Sequence, residues 1–184
     1  MSQQTKTLDI LLVEDDREMA DFLTDYLKSK STSVRVRQVR TESEFYRIFP
    51  AIAATPPDII VLDVMFPSAP DLDQDRFTAG VRCFKKLRDT TSTAQIPVIF
   101  STVVSDLDAI GLSKPLPPHV LYLVKPYDPS TLFTFIRSLA MHLPEMPEKR
   151  RSFLQRAFDA VEVKPGGFGL KIDLKKMLDD KTVA

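Results

Sequence analysis

Two short apolar runs that end in carboxylates constrain this chain more than any other feature. Ile10 to Val13 runs into Glu14, Asp15 and Asp16, and Ile60 to Leu62 runs into Asp63. A strand that is buried along its length and delivers its last side chain to the carboxyl edge of a sheet is how an open α/β fold presents acids to a ligand. Two such strands place an acidic cluster at one edge. Clustered carboxylates repel one another, so they persist around a divalent cation or by sharing a proton.

Short apolar runs alternate with longer amphipathic ones, the pattern of a parallel sheet with crossover helices. The expected strands are Leu8 to Val13, a more charged edge strand through Val34, Val36 and Val39, then Asp58 to Asp63, Ile96 to Thr102, and His119 to Val124. A first helix is expected over Asp16 to Lys30, where Met19, Phe22, Leu23, Tyr26 and Leu27 fall at three-and-four spacing. A second runs from Glu42 to Phe49 and is ended by Pro50, a third gathers around Val81, Phe84 and Leu87, and a last one opens at Pro129. The stretch between the fourth and fifth strands leaves room for only a short helix. The sum is an α/β domain over residues 1–143, a doubly wound five-stranded parallel sheet of the flavodoxin-like order 2-1-3-4-5.

Composition narrows the function. The apolar share of 43% in 184 residues supports a real core, and 25 basic against 25 acidic side chains give no charge excess toward nucleic acid or an anionic membrane. Cys83 is the single cysteine, which excludes an internal disulfide and suits a reducing compartment. The polar start, MSQQTKTLD, runs straight into a strand, so neither a signal peptide nor a membrane span is expected, and the location is read as cytoplasmic.

The polar residues of interest all fall at carboxyl ends of strands: Glu14 and Asp15 after the first, Asp63 after the third, Ser101 late in the fourth, and Lys125 closing the fifth before Pro126. These parts suit phosphoryl transfer. An acidic pair holds a hard cation of the magnesium kind, one aspartate acts as nucleophile, and a lysine and a hydroxyl stabilise the transferred group's oxygens. With VEDD, VLDVMFP, the hydroxyl in VIFST, and YLVKP in this order, the chain from Leu8 to Leu143 resembles a bacterial two-component response-regulator receiver domain.

That resemblance implies a phosphoaspartyl switch rather than a metabolic enzyme, one that assists its own phosphorylation and dephosphorylation. By it, Asp63 is the phosphoacceptor, Glu14 and Asp15 with Asp63 and the backbone carbonyl of Met65 hold Mg2+, and Lys125 is the invariant lysine. Ser101 stands at the switch hydroxyl and Tyr122 at the switch aromatic, with a cis bond before Pro126. Asp16, one residue on, reads as a first-turn acid favoured by the helix dipole. The implied partners are a histidine kinase or phosphotransfer protein and a downstream protein.

Two other readings share some of these parts. One is a receiver-like binding module with idle phosphorylation chemistry. The other is an aspartate-nucleophile phosphatase of the haloacid-dehalogenase type, which places a second acid two residues after the nucleophile, where this chain has Met65. The segment from Phe66 to Gly80 is longer than the family's usual loop and carries Asp71, Asp73 and Asp75. Thr102 occupies a position that is very small in most of the family. Residues 144–184 read as an extension, with a helix around Ser152 to Val161 and a half-exposed strand through Leu170, Ile172 and Leu174. Mixed charge and the lack of a helix-turn-helix pattern point this extension to protein contact or homodimerisation rather than direct DNA binding.

Overall fold

The computed structural model describes residues 7–66, 78–105, 108, 111, 116, 119–140, 161–162 and 171–172. It divides into two compact units, Met1–Ala140 and Met141–Ala184. In the first, the chain runs β1 (Leu8–Val13), α1 (Arg17–Lys30), β2 (Val34–Val39), α2 (Glu42–Ala54), β3 (Ile59–Leu62), α3 (Ala79–Arg88), β4 (Val98–Thr102), β5 (Val120–Val124) and α4 (Pro129–Ala140). The five strands form one parallel sheet in the order β2-β1-β3-β4-β5, as the alternation of runs implied.

Side chains alternate across the sheet and build a core on each face. Ile10, Leu12, Ile59, Val61, Ile99 and Leu123 meet Leu23 and Leu27 of α1 and Leu132 and Ile136 of α4. On the other face Leu11, Val13, Ile60, Leu62 and Phe100 meet Phe45 and Ile52 of α2 and Phe84 and Leu87 of α3. Both faces are covered, so β3 and the apolar stretches Ile10 to Val13 of β1 and Val98 to Phe100 of β4 are buried along their length. The charged edge strand β2 is paired to its neighbour through Arg35, which donates from Nε and Nη2 to the nearly buried Asp9.

Several bounds differ from the sequence expectation. The second helix does not stop at Pro50 but runs through it to Ala54. Pro50 is exposed and forgoes one helical donor, while continuing the helix buries Ile52 completely. Asp16 lies outside the first helix, as its N-cap, and accepts from the Met19 amide at 3.0 Å. The fourth strand begins after Pro97, and the fifth after His119, which takes a positive φ of 64°. The bond between Lys125 and Pro126 is cis.

In the second unit Val161–Glu162 pairs antiparallel with Lys171–Ile172. Val161, expected to end a helix, is therefore strand. The rest of that expected helix, Leu170 and Leu174, the acids Asp71, Asp73 and Asp75, and most of the segment between β4 and β5 lie outside the described residues.

α3 begins where it does because Gly80 lets it. Its amide donates to the Val64 carbonyl at 2.9 Å, and a Cβ there would stand 2.0 Å from the Asp63 carbonyl oxygen. The same first turn is held from its other side by Arg82, which donates to both oxygens of the fully buried Glu42 at 2.7 and 2.6 Å and to the Thr78 hydroxyl at 2.8 Å.

Candidate functional site

The acids and the lysine sit one residue beyond their strands, and the sheet still holds their backbones. The Glu14 amide donates to the Val39 carbonyl at 3.0 Å, Asp63 to Val13 at 2.9 Å, and Lys125 to Thr102 at 2.8 Å. Each residue is thus fixed by the last carbonyl of an adjacent strand, which brings positions far apart in sequence to one edge. Glu14, Asp15 and Asp63 each offer a carboxylate oxygen within 4.8 Å of the others. Glu14 and Asp63 are buried and Asp15 is half-buried. A set of hard oxygen donors this close fits a hard divalent cation, and the cluster could hold a metal ion.

Lys125 binds two of these acids. Its Nζ donates to Glu14 Oε2 at 2.6 Å and to Asp63 Oδ2 at 2.7 Å. Burial works against the ammonium, but Asp63 and Glu14 outweigh it and hold Lys125 above its ordinary pKa. Burial pushes the Glu14 carboxyl up to about 7, against the opposing pull of Lys125. The remaining Asp63 oxygen, Oδ1, accepts from the Met65 amide at 2.9 Å, which turns the carboxylate across the end of β3.

The hydroxyls at the end of β4 face opposite ways. Ser101 pairs in register with Leu123 and shares the face of Ile99, toward α1 and α4. There its Oγ lies 2.7 Å from the Tyr127 hydroxyl, a partner that the sequence reading missed. Burial raises the Tyr127 phenol above its ordinary value, with Ser101 and Lys125 opposing. Thr102 shares the other face with Phe100, the side on which Tyr122 packs against the α2–α3 core. Thr102 is fully buried, and its Oγ1 accepts from the Val104 amide at 3.3 Å. The sequence assignment had joined Ser101 with Tyr122. Strand alternation sets these two on opposite faces of the sheet.

Comparison with known proteins identifies the family and the fold. The family model of the response regulator receiver domain matches residues 10–137, and the chain belongs to that family. The transcriptional regulatory protein BaeR of Escherichia coli O6:H1 is 26% identical over 132 residues, which are 71% of this chain and 47% of that protein. The chain therefore spans about half the length of this curated relative. Among solved structures, the signal receiver domain of a signal transduction histidine kinase from Syntrophus aciditrophicus superposes with a TM-score of 0.58 at 24% identity, covering 76% of this chain and 95% of that one. The receiver domain of the Francisella response regulator 1452 gives 0.55 at 21% identity, covering 73% and 98%. Among the described residues no helix is long and apolar enough to cross a membrane.

Proposed function

We propose that this receiver domain is a cytoplasmic phosphoaspartyl switch, taking a phosphoryl group from a histidine kinase or phosphotransfer protein onto Asp63 and acting through protein contact. The observation that carries the reading is the Lys125 ammonium bonded to both Glu14 and Asp63 beside Asp15. In the transfer, an Asp63 oxygen attacks the donor's phosphorus, an O–P bond forms, and the donor's bond to phosphorus breaks, its electron pair leaving with the donor. Glu14, Asp15, Asp63 and the Met65 carbonyl would hold Mg2+, which when bound neutralises charge between the acids and the entering group. Lys125 follows the charge, from the Asp63 carboxylate to the phosphoryl oxygens.

A hydroxyl at the end of β4 completes the set. The face that Thr102 shares with Tyr122 favours Thr102 for this role over Ser101, whose hydroxyl already meets Tyr127. Residues 144–184 are read as a separate element for protein contact or homodimerisation, without direct DNA binding.

Intact-mass measurement after incubation with phosphoramidate and Mg2+ tests the reading. The wild type should gain one acid-stable, base-labile phosphoryl group only with the metal, and Asp63→Asn should gain none. Equal labelling of Asp63→Asn would overturn the assignment. Thr102→Ala should slow labelling more than Ser101→Ala does, and the reverse order would return the role to Ser101.

A further inference from the structure

The turn that carries Lys125 is attached to the end of β4 at two points, one on each side of Pro126. Before it, the Lys125 amide donates to the Thr102 carbonyl at 2.8 Å. After it, the Tyr127 hydroxyl lies 2.7 Å from Ser101 Oγ. Ser101 is 1% exposed and paired in register with Leu123 of β5, so it is a fixed anchor. The turn also borders a cleft of about 90 Å³, whose lining includes Met19, Phe22 and Leu23 of α1 and Pro129, while the Tyr127 ring packs against the core between α1 and α4. The Tyr127 ring gives the turn apolar contact with that core, and these two polar bonds fix its place against β4.

Resting on the function proposed above, we infer that Tyr127 is a positioning residue for Lys125. Its phenol, seated on Ser101, fixes the far side of the turn and so keeps the ammonium between Glu14 and Asp63. A lysine side chain has enough rotamer freedom to leave two bonded acids once its backbone shifts. Displacements of about an ångström in a group that stabilises transferring charge lower rates by as much as about a hundredfold. One hydrogen bond of two is removed here, so a smaller effect follows, on the order of fivefold.

The test is Mg2+-dependent labelling of the full chain by phosphoramidate, read as an initial rate, with a thermal melt of each variant. Tyr127→Phe keeps the ring and removes the hydroxyl. It should label several times more slowly than wild type, Ser101→Ala should match it, and the double variant should be no slower than either. The decisive measurement is the same change in a Lys125→Met background. There Tyr127→Phe should make no further difference, because the residue it places is gone, whereas a general loosening of the domain would slow that background too. An undiminished rate in Tyr127→Phe, or equal slowing in both backgrounds, overturns the inference. If Tyr127→Phe does not fold, Ser101→Ala in the two backgrounds gives the same decision. Labelling of wild type but not Asp63→Asn shows in the same experiment that the underlying function stands, and unlabelled wild type overturns that function and this inference with it.

Discussion

Replacing Gly80 by alanine should damage the domain, although alanine is the better helix former. In an ordinary helix the exchange would gain about 1 kcal/mol. Here the new Cβ would stand 2.0 Å from the Asp63 carbonyl oxygen, 2.6 Å from the Val64 Cα and 2.9 Å from the Asp63 carbonyl carbon. All three are backbone atoms of the segment that ends β3, so no rotamer change relieves the contact. α3 must retreat, which forfeits the bond from the Gly80 amide to the Val64 carbonyl. Overpacking a core costs about 1–3 kcal/mol and a buried bond left unmade about as much again. Set against the propensity gain, the net loss is about 1–5 kcal/mol, or roughly 3–15 °C in melting temperature for a domain of this size. Urea unfolding followed by far-ultraviolet circular dichroism measures it. Phosphoramidate labelling should fall as well, since the displaced backbone is that of Asp63. Gly111→Ala is the contrast. Its φ is +71° with nothing within 4 Å, so only backbone strain of about 1–2 kcal/mol applies and labelling should hold. A Gly80→Ala protein as stable as wild type would refute the steric argument.

Lys125→Met should lower stability in metal-free buffer by about 2–4 kcal/mol, because it leaves Glu14 and Asp63 buried without their shared cation, and added Mg2+ should restore part of the loss. An equal loss with and without the metal in urea titrations would contradict this. Cys83 is fully buried and its thiol is pushed up by burial, so Ellman's reagent should find no reactive thiol in the native protein and one in urea. Fast native reaction would speak against that packing. Ser130 holds the Asp128 carboxyl below its ordinary value, first through its side-chain hydroxyl and then through its amide, which donates at 2.7 Å. The carboxylate's contribution to the start of α4 is therefore present above the usual aspartate range and lost as pH falls through the depressed value. Carbon-detected NMR titration should put the Asp128 midpoint below that range, and a midpoint within it would count against the bond.

The order of elements was legible because β1 from Ile10 onward and all of β3 are short apolar runs followed by acids, and because α1 keeps its apolar spacing without interruption. The site acids and Lys125 were legible for the same reason: each follows directly on an apolar run. Pro50 misled because its local penalty is visible in sequence, whereas the burial of Ile52 that offsets it is a tertiary effect. The faces of Ser101 and Thr102 were illegible for a different reason. Every residue of β4 is buried, so hydropathy does not alternate along it, and which hydroxyl shares a face with Tyr122 depends on the register with β5. Tyr127 carried no periodic signal at all. It lies beyond the last strand, and its partner is 26 residues away in sequence.

The bond between the Val64 carbonyl and the Gly80 amide pinches the chain shut immediately after Asp63. Whatever stands between those two points is an excursion that leaves from and returns to one fixed gate. The entropy of closing such an excursion grows only with the logarithm of its length, so residues inserted between the fully buried Phe66 and Thr78, which accepts from Arg82, add little to the closure cost. This makes the span between the gateposts the natural place for inserted sequence, such as a reporter peptide or an affinity tag. It lets neighbouring chemistry acquire new contacts without redesign of the scaffold beneath.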